Sequence, residues 1–406
     1  MRLVHLSDLH LGYRQYQRLT PGGINQREAD VAASFKRAVD KVIERRPEVV
    51  VIAGDLFHSV RPTNPAILHA FGQFSRLMRE LPDAIVVIVA GNHDTPRSSE
   101  TGCILRLFAP LGVHVVDDAP RRLQFPDRDL SILAVPDIPG NRPALVPEPG
   151  VRYNLLLLHG EVEGVLPPSL TATDRASLEI SKEELGADRW TYVALGHYHV
   201  YRQITRNAYY SGSLDYTSAN VWGERAEERA AGLRGKGIIE HDLASGTHTF
   251  HSLPPSREFV DLPAVAARGL SVAEVDAAIA AAAEACPGRI DDKVVRLVVR
   301  DIPRHVAREL NHKAIREYRR RALHFLLDTR KPEVVRTHAS GAPGRRPSLA
   351  DVVREKLSTR ALESNIDRER LVALGLHYLS LAESEHARGD GGPGADGVGA
   401  QPVEAP

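Results

Sequence analysis

Asp8 and His10, Gly54-Asp55, Gly91-Asn92-His93-Asp94, His159, and His197 with His199 punctuate the first half of the chain. Asp, Asn and His supply the oxygen and nitrogen donors that hard or borderline divalent cations accept. Two such ions held close together suit phosphoester hydrolysis, because they make a nucleophile from water and neutralise charge developing on phosphorus. A lone Asp-x-His carries little weight. Five clusters, most of them following short apolar runs, point to one convergent two-metal centre. Asp55 is the bridging candidate, since a carboxylate can give one oxygen to each ion. One ion is assigned to Asp8, His10, Asp55 and His199, the other to Asp55, Asn92, His159 and His197. Asp8 and His10 are two apart, as are His197 and His199; on an extended chain that spacing sends both side chains to one side. His93 reads as an acid/base or phosphate-contacting group whose ring Asp94 orients. His58 is a second candidate for contact with substrate, with a structural role as its alternative. His5 reads as a strand residue.

Elements that alternate along the chain must position these groups. Residues 2–7, 49–53 and 84–90 read as short buried strands, and residues 31–46 and 65–80 as helices. Each strand runs into a cluster, as expected where an α/β enzyme places its chemistry past the C-terminal strand ends. A second strand set follows at 130–135, 153–158, 192–195, 209–214 and 236–240, so the catalytic unit is expected over 1–253. Pro254-Pro255 marks a boundary. Beyond it, 256–335 reads as a small α/β unit, with helices at 271–285 and 304–318 and strands at 293–300 and 324–328. A linker over 337–346 precedes two amphipathic helical stretches within 348–382. The Gly-, Ala- and Pro-rich segment 387–406 reads as disordered.

Composition narrows the setting without naming a partner. Among 406 residues, Lys and Arg total 52 and Asp and Glu total 52, so a nucleic-acid contact must come from a local basic patch. Cys103 and Cys286 are the only cysteines, which excludes a disulfide framework and fits a reducing compartment. No apolar stretch precedes Asp8, and none elsewhere is long enough to cross a membrane. A cytoplasmic protein is expected.

The order D-x-H, GD, GNHD, H, GHxH resembles the calcineurin-like metallophosphoesterase superfamily. Within it, Met1 to Gly12, Gly54-Asp55-Leu56-Phe57-His58 and Gly196-His197-Tyr198-His199 with Tyr210-Ser211-Gly212-Ser213 resemble the SbcD-type DNA-repair nucleases. That resemblance implies a four-layer α/β/β/α sandwich, a capping domain over 256–335 and a C-terminal helical pair that binds an SMC-like ATPase of the SbcC type. It also implies a homodimer, built on residues 65–80 and a helix within 95–108. The implied activity is manganese-dependent, double-strand exonuclease and single-strand or hairpin endonuclease, with His58 on a DNA phosphate. Two departures stand out. Ser211 occupies a place where proline is frequent in that group, and 215–224 differs from its acidic continuation without touching a proposed ligand.

Arg14, Arg18, Arg97, Arg142, Arg202 and Arg206 adjoin the metal motifs and are candidate phosphate contacts. Leu349 and Val353, then Leu371, Leu374 and Tyr378, form apolar faces that can dock on a partner coil or pair with each other. Two other functions remain open: a small-molecule phosphodiesterase or nucleotidase, and a scaffold that recruits an ATPase with minor catalysis of its own.

Overall fold

The computed structural model describes residues 1–96, 102–140, 143–165, 175–332, 348–359 and 367–389. In chain order, β1 (Arg2–Leu6), α1 (Gln26–Arg45), β2 (Val49–Ala53), α2 (Asn64–Glu80), β3 (Ile85–Val89) and β4 (His114–Val116) come first. Then follow β5 (Arg121–Phe125), β6 (Leu130–Val135), β7 (Tyr153–His159), β8 (Glu161–Val162), β9 (Glu179–Ile180), α3 (Lys182–Leu185), β10 (Tyr192–Gly196), β11 (Arg202–Thr205) and β12 (Ala208–Tyr210). Helix α4 (Val221–Ala230), β13 (Gly237–Asp242) and β14 (His248–Ser252) complete two six-stranded sheets. Their orders are β14-β13-β1-β2-β3-β4 and β11-β12-β10-β7-β6-β5. The short β8 and β9 pair with each other.

Side-chain alternation sorts these strands into layers. Val4, Leu6, Val50, Ile52, Val86 and Ile88 pack on one face against Phe35, Val39, Val42, Phe74 and Leu77 of α1 and α2. Leu3, Val49, Val51, Val87 and Val89 point the other way, onto Ile132, Leu155, Leu157, Tyr192 and Tyr209 of the second sheet. The far face of that sheet buries Leu133, Leu156, Leu158, Val193 and Leu195 against Leu178, Leu185 and Trp190. The expected four-layer sandwich is therefore present, with a fourth layer that holds only short helices among the described residues.

Helix α1 begins five residues before the expected start, where the Asn25 side chain accepts the Arg27 N–H and caps it. Polar residues fill this added turn, so hydropathy hides it. Arg27 is wholly buried and paired with Asp30 and Asp215.

Residues past 258 build β15 (Phe259–Asp261), β16 (Val265–Ala266), α5 (Val272–Glu284), β17 (Val294–Arg300), α6 (Arg304–Glu309), α7 (His312–Arg321) and β18 (His324–Thr329). They form a third sheet with its own apolar core, including Val275, Ile279, Val295, Leu297 and Phe325. The single helix expected over 304–318 is two. Asn311 caps α7 by accepting the Ala314 N–H, and the chain turns there.

Met1–Pro332 forms one compact unit and Glu333–Pro406 another. In the second, α8 (Leu349–Thr359) packs on α9 (Arg368–Gly389), and Gly375 allows the close approach of Leu357. The expected linker and the 390–406 part of the expected disordered tail lie outside the described residues. No helix among the described residues is long and apolar enough to cross a membrane.

Candidate metal centre

Strands β1, β2, β3, β7 and β10 end on one side of the sandwich and deliver Asp8, Asp55, Asn92, His159 and His197. The loop after β1 zips onto the loop after β2. The Asp8 N–H donates to the Gly54 carbonyl, that of His10 to Asp55, and that of Leu11 to Leu56. The extended backbone expected at the two paired motifs is not found. Strand β1 stops at Leu6, and Asp8, His10, Asp55 and His197 take left-handed φ of 54, 48, 52 and 99°. Such backbone is costly for non-glycine residues and is held here by the surrounding loops. Glycine matters at two neighbouring positions: a Cβ on Gly91 would overlap the Asp55 carboxylate, and one on Gly196 the Ala53 carbonyl.

The donors converge. Ligand atoms of Asp8, His10 and His199 lie within 4.8 Å of one another, as do those of Asp8, Asp55 and His159. Asp55 Oδ2 is 3.7 Å from His10 Nε2 and 3.5 Å from His159 Nε2, a position between the two groups. Asn92 Oδ1 is 3.0 Å from His159 Nε2, and His10 Nε2 is 3.0 Å from His199 Nε2. Two imidazole nitrogens and a carboxylate oxygen this close, Asp8 and His10 buried and His199 partly so, match the mixed N/O donor set of a divalent cation. Burial, then the neighbouring His199, His93, His58 and His159 rings, hold the His10 pKa well below its usual value, so the ring is neutral and free to donate a lone pair. The residues present thus fit one or two divalent ions. His197 belongs to neither group. Its backbone N–H donates to Asp8 Oδ1 at 2.9 Å, and its Nε2 faces Glu161. Burial opposes its protonation, yet the Glu161 contact and the charges of Asp55 and Asp8 raise its pKa.

His58 and His93 stand beside this core, their rings stacked at 5.2 Å. His58 Nδ1 is 3.3 Å from His10 Nδ1. His93 Nδ1 is 2.8 Å from the His58 carbonyl oxygen, which can only accept, so Nδ1 carries the proton. The described partners of Asp94 are backbone groups rather than this ring. Asp94 is fully buried, and its carboxylate accepts the N–H groups of Leu56, Phe57 and Gly91 at 3.0 to 3.2 Å, tying the two loops together. Burial, then the Asp55 charge, push its pKa up.

The candidate arginines separate by position. Arg14 is 58% exposed in the loop after His10, 3.7 Å from Glu28. Arg202 sits at the ligand end of the second sheet, and donates to the Val165 carbonyl at 2.8 Å. Arg18 is held within the chain by Asp292 and the Arg320 carbonyl, beside Tyr16 stacked on His324, so it joins the third sheet to the sandwich. Arg206 is misplaced as a site contact: it precedes β12, which runs parallel to β10, and therefore lies at the end of the sheet away from His197. Arg97 and Arg142 lie outside the described residues.

Two carboxylates behind the ligands were not anticipated. Glu161, two residues past His159, reaches His197, and Glu224 Oε1 lies 3.5 Å from His199 Nδ1. Lys236, buried, pins Glu224 at 2.5 Å and the His199 carbonyl at 2.7 Å. The 215–224 segment therefore does touch a proposed ligand, through Glu224. Ser211, the other departure, hydrogen-bonds Ser7, whose hydroxyl donates to Asp8 at 2.6 Å. The spacing of Glu161 from His159 was a usable signal. Glu224 and Lys236 carried none, because only the fold brings α4 and β13 to His199.

Comparison with known proteins agrees with this geometry. The Calcineurin-like phosphoesterase family description matches residues 1–221. Similar curated relatives are DNA double-strand break repair proteins Mre11. That of Methanocaldococcus jannaschii is 42% identical over 97 residues, covering 24% of each chain. That of Thermoplasma acidophilum is 27% identical over 260 residues, covering 60% of this chain and 62% of its own. That of Methanopyrus kandleri is 25% identical over 271 residues, covering 60% and 56%. In each case the chain spans less than two thirds of the relative's length. With a family match over more than half its residues and its Asp and His donors gathered at the strand ends, the chain belongs to the calcineurin-like phosphoesterases.

Proposed function

We propose that the chain is a two-metal DNA phosphodiester hydrolase of the Mre11/SbcD type, a double-strand exonuclease and a single-strand and hairpin endonuclease. It acts in DNA repair with an SMC-like ATPase. The observation that carries this reading is the position of Asp55 between two donor groups, one with Asp8, His10 and His199 and one with His159 and Asn92. The curated relatives' names supply the substrate class. Manganese is the expected ion.

Bound divalent ions would supply a nucleophile from water at neutral pH and charge stabilisation at phosphorus. Asp8, His10, Asp55, Asn92, His159, His197 and His199 are the residues that would hold them. His93 keeps its proton on Nδ1 through the His58 carbonyl, so Nε2 is the atom that exchanges a proton with substrate. His58, edge-on to Tyr13 at 4.9 Å and stacked on His93, contacts the phosphate. Arg14 and Arg202 hold the DNA backbone.

Exposed Leu68 and Phe71 on α2, with exposed Leu107 inside the expected second helix, support dimerisation. That second helix is a 3₁₀ turn over Ile104–Leu111, whose Leu105 and Phe108 join the core. Exposed Leu349, Leu374 and Tyr378 support docking of the helical pair on the ATPase. Val353 and Leu371 are partly buried.

Cleavage of end-labelled duplex and hairpin DNA with manganese, beside Asp55→Asn, tests the proposal. Metal-dependent cutting that the variant lacks is expected. Hydrolysis of a small phosphodiester with no cutting of either DNA, alone or with the ATPase, would overturn it.

A further inference from the structure

Glu161 is 5% exposed on β8, and its place there is fixed from several directions. Its backbone N–H donates to the Leu178 carbonyl at 2.8 Å, and its Oε1 accepts the Ala176 N–H at 3.0 Å. The 176–178 stretch is held in turn by Asp137, which accepts the Ser177 and Leu178 N–H groups at 3.0 Å. From this anchored position Oε1 stands 3.1 Å from His197 Nε2. An ionised carboxylate can only accept, so the ring proton of His197 belongs on Nε2.

We propose that Glu161 is a positioning residue: it fixes His197 as the Nε2–H tautomer and so makes Nδ1 the atom that His197 presents to a divalent ion. This rests on the reading of the site as a metal centre. The neighbouring histidines use the opposite nitrogen. His159 Nδ1 is 2.8 Å from the Ala53 carbonyl, which leaves Nε2 for the ion. His199 Nδ1 faces Glu224, and its Nε2 faces His10. Both histidines of the H-x-H motif are thus backed by a carboxylate, but through different ring atoms. A carboxylate behind a ligand imidazole raises its basicity and locks its orientation, and its loss costs about 10–100-fold in metal affinity.

The test uses the full metal-stripped chain. Long-range proton–nitrogen NMR reads the His197 tautomer, and calorimetric titration with manganese reads both ions. Wild type is expected to show a protonated Nε2. Glu161→Ala should release the ring into a tautomer mixture and weaken one ion by about 10–100-fold. Glu161→Gln keeps the shape without the charge and should weaken that ion less. Unchanged His197 nitrogen shifts in Glu161→Ala, or wild-type affinity for both ions in both variants, would overturn the proposal. Should wild type bind no manganese, the metal-centre reading fails, while the tautomer measured on the metal-free chain still decides the role of Glu161.

Discussion

Histidines crowd two regions of this molecule, and the two give them different partners. At the strand ends, His10 and His159 flank Asp55, His199 lies against His10, and Glu161 and Glu224 stand behind His197 and His199. Between the sheets, His5 of β1, His241 of β13 and His248 of β14 lie against Tyr192, Tyr209 and Tyr201. There the partners are hydroxyls: His5 Nδ1 is 3.1 Å from Tyr192 Oη, and His248 Nε2 is 2.7 Å from Tyr201 Oη. Nδ1 of His241 and of His248 meet no hydrogen-bond partner among the described residues. One strand serves both regions, since β1 carries His5 into the layer and then delivers Asp8 and His10. Burial alone therefore does not make a cation site. Carboxylates brought in by strained loops do, whereas in-strand imidazoles facing phenols form a layer that excludes charge.

The widest separation between the regions should come from Asp55→Asn. It removes the carboxylate placed between the donor groups, worth several kcal/mol of charge stabilisation, so hydrolysis should fall on the order of 10³-fold. Denaturant midpoints should stay near wild type. Hydrolysis within a few-fold of wild type would sink the bridging role. His93→Ala should retain both ions and lose about 10²-fold in turnover. Undiminished turnover would remove His93 from the mechanism.

Acid should act on the layer. Burial lowers His5 from 6.5 to about 3, and burial followed by the His248 charge lowers His241 to about 4. Below 6.5 the unfolded chain binds protons that the folded chain refuses. Stability is therefore full above pH 6.5 and is lost as pH falls toward the folded values. The slope is about 1.4 kcal/mol per pH unit for each histidine. Urea unfolding at pH 7 and pH 5 measures this, and His5→Phe should flatten it. An equal slope in that variant would show that the loss originates elsewhere. Tyr192→Phe removes the hydroxyl facing His5 and should cost about 1 kcal/mol while leaving manganese affinity alone. Weakened manganese binding in that variant would mean the two regions are not separate. Deleting 348–406 should affect the two least: hydrolysis and acid slope persist while pull-down of the ATPase is lost. Retained pull-down would place the partner surface elsewhere.

The candidate ligands could be placed at strand ends because a strand-length apolar run ends at each cluster, and runs of that kind keep their strand identity in the fold. What was not legible is what tertiary contact decides. The Asp-x-His spacing reads as extended chain, but the loop hydrogen bonds to Gly54 and Asp55 hold it left-handed. Asp94 looks like the partner of its neighbour His93, yet its carboxylate accepts two backbone N–H groups from the facing loop and one from its own. Arg206 sits near the ligands in sequence, but strand direction carries it away. Apolar periodicity continues past Leu310, and only the Asn311 cap reveals the helix break. Glu224 reaches His199 from 25 residues on, through a helix whose exposed face gave no hint of it.

The central claim is that Asp55 lies between two ions. Anomalous scattering at the manganese edge, from crystals of the full chain soaked in manganese, tests it directly. The account predicts two peaks flanking the Asp55 carboxylate, one beside His10 and His199 and the other beside Asn92 and His159. A single peak, or peaks that leave Asp55 uncoordinated, would contradict it.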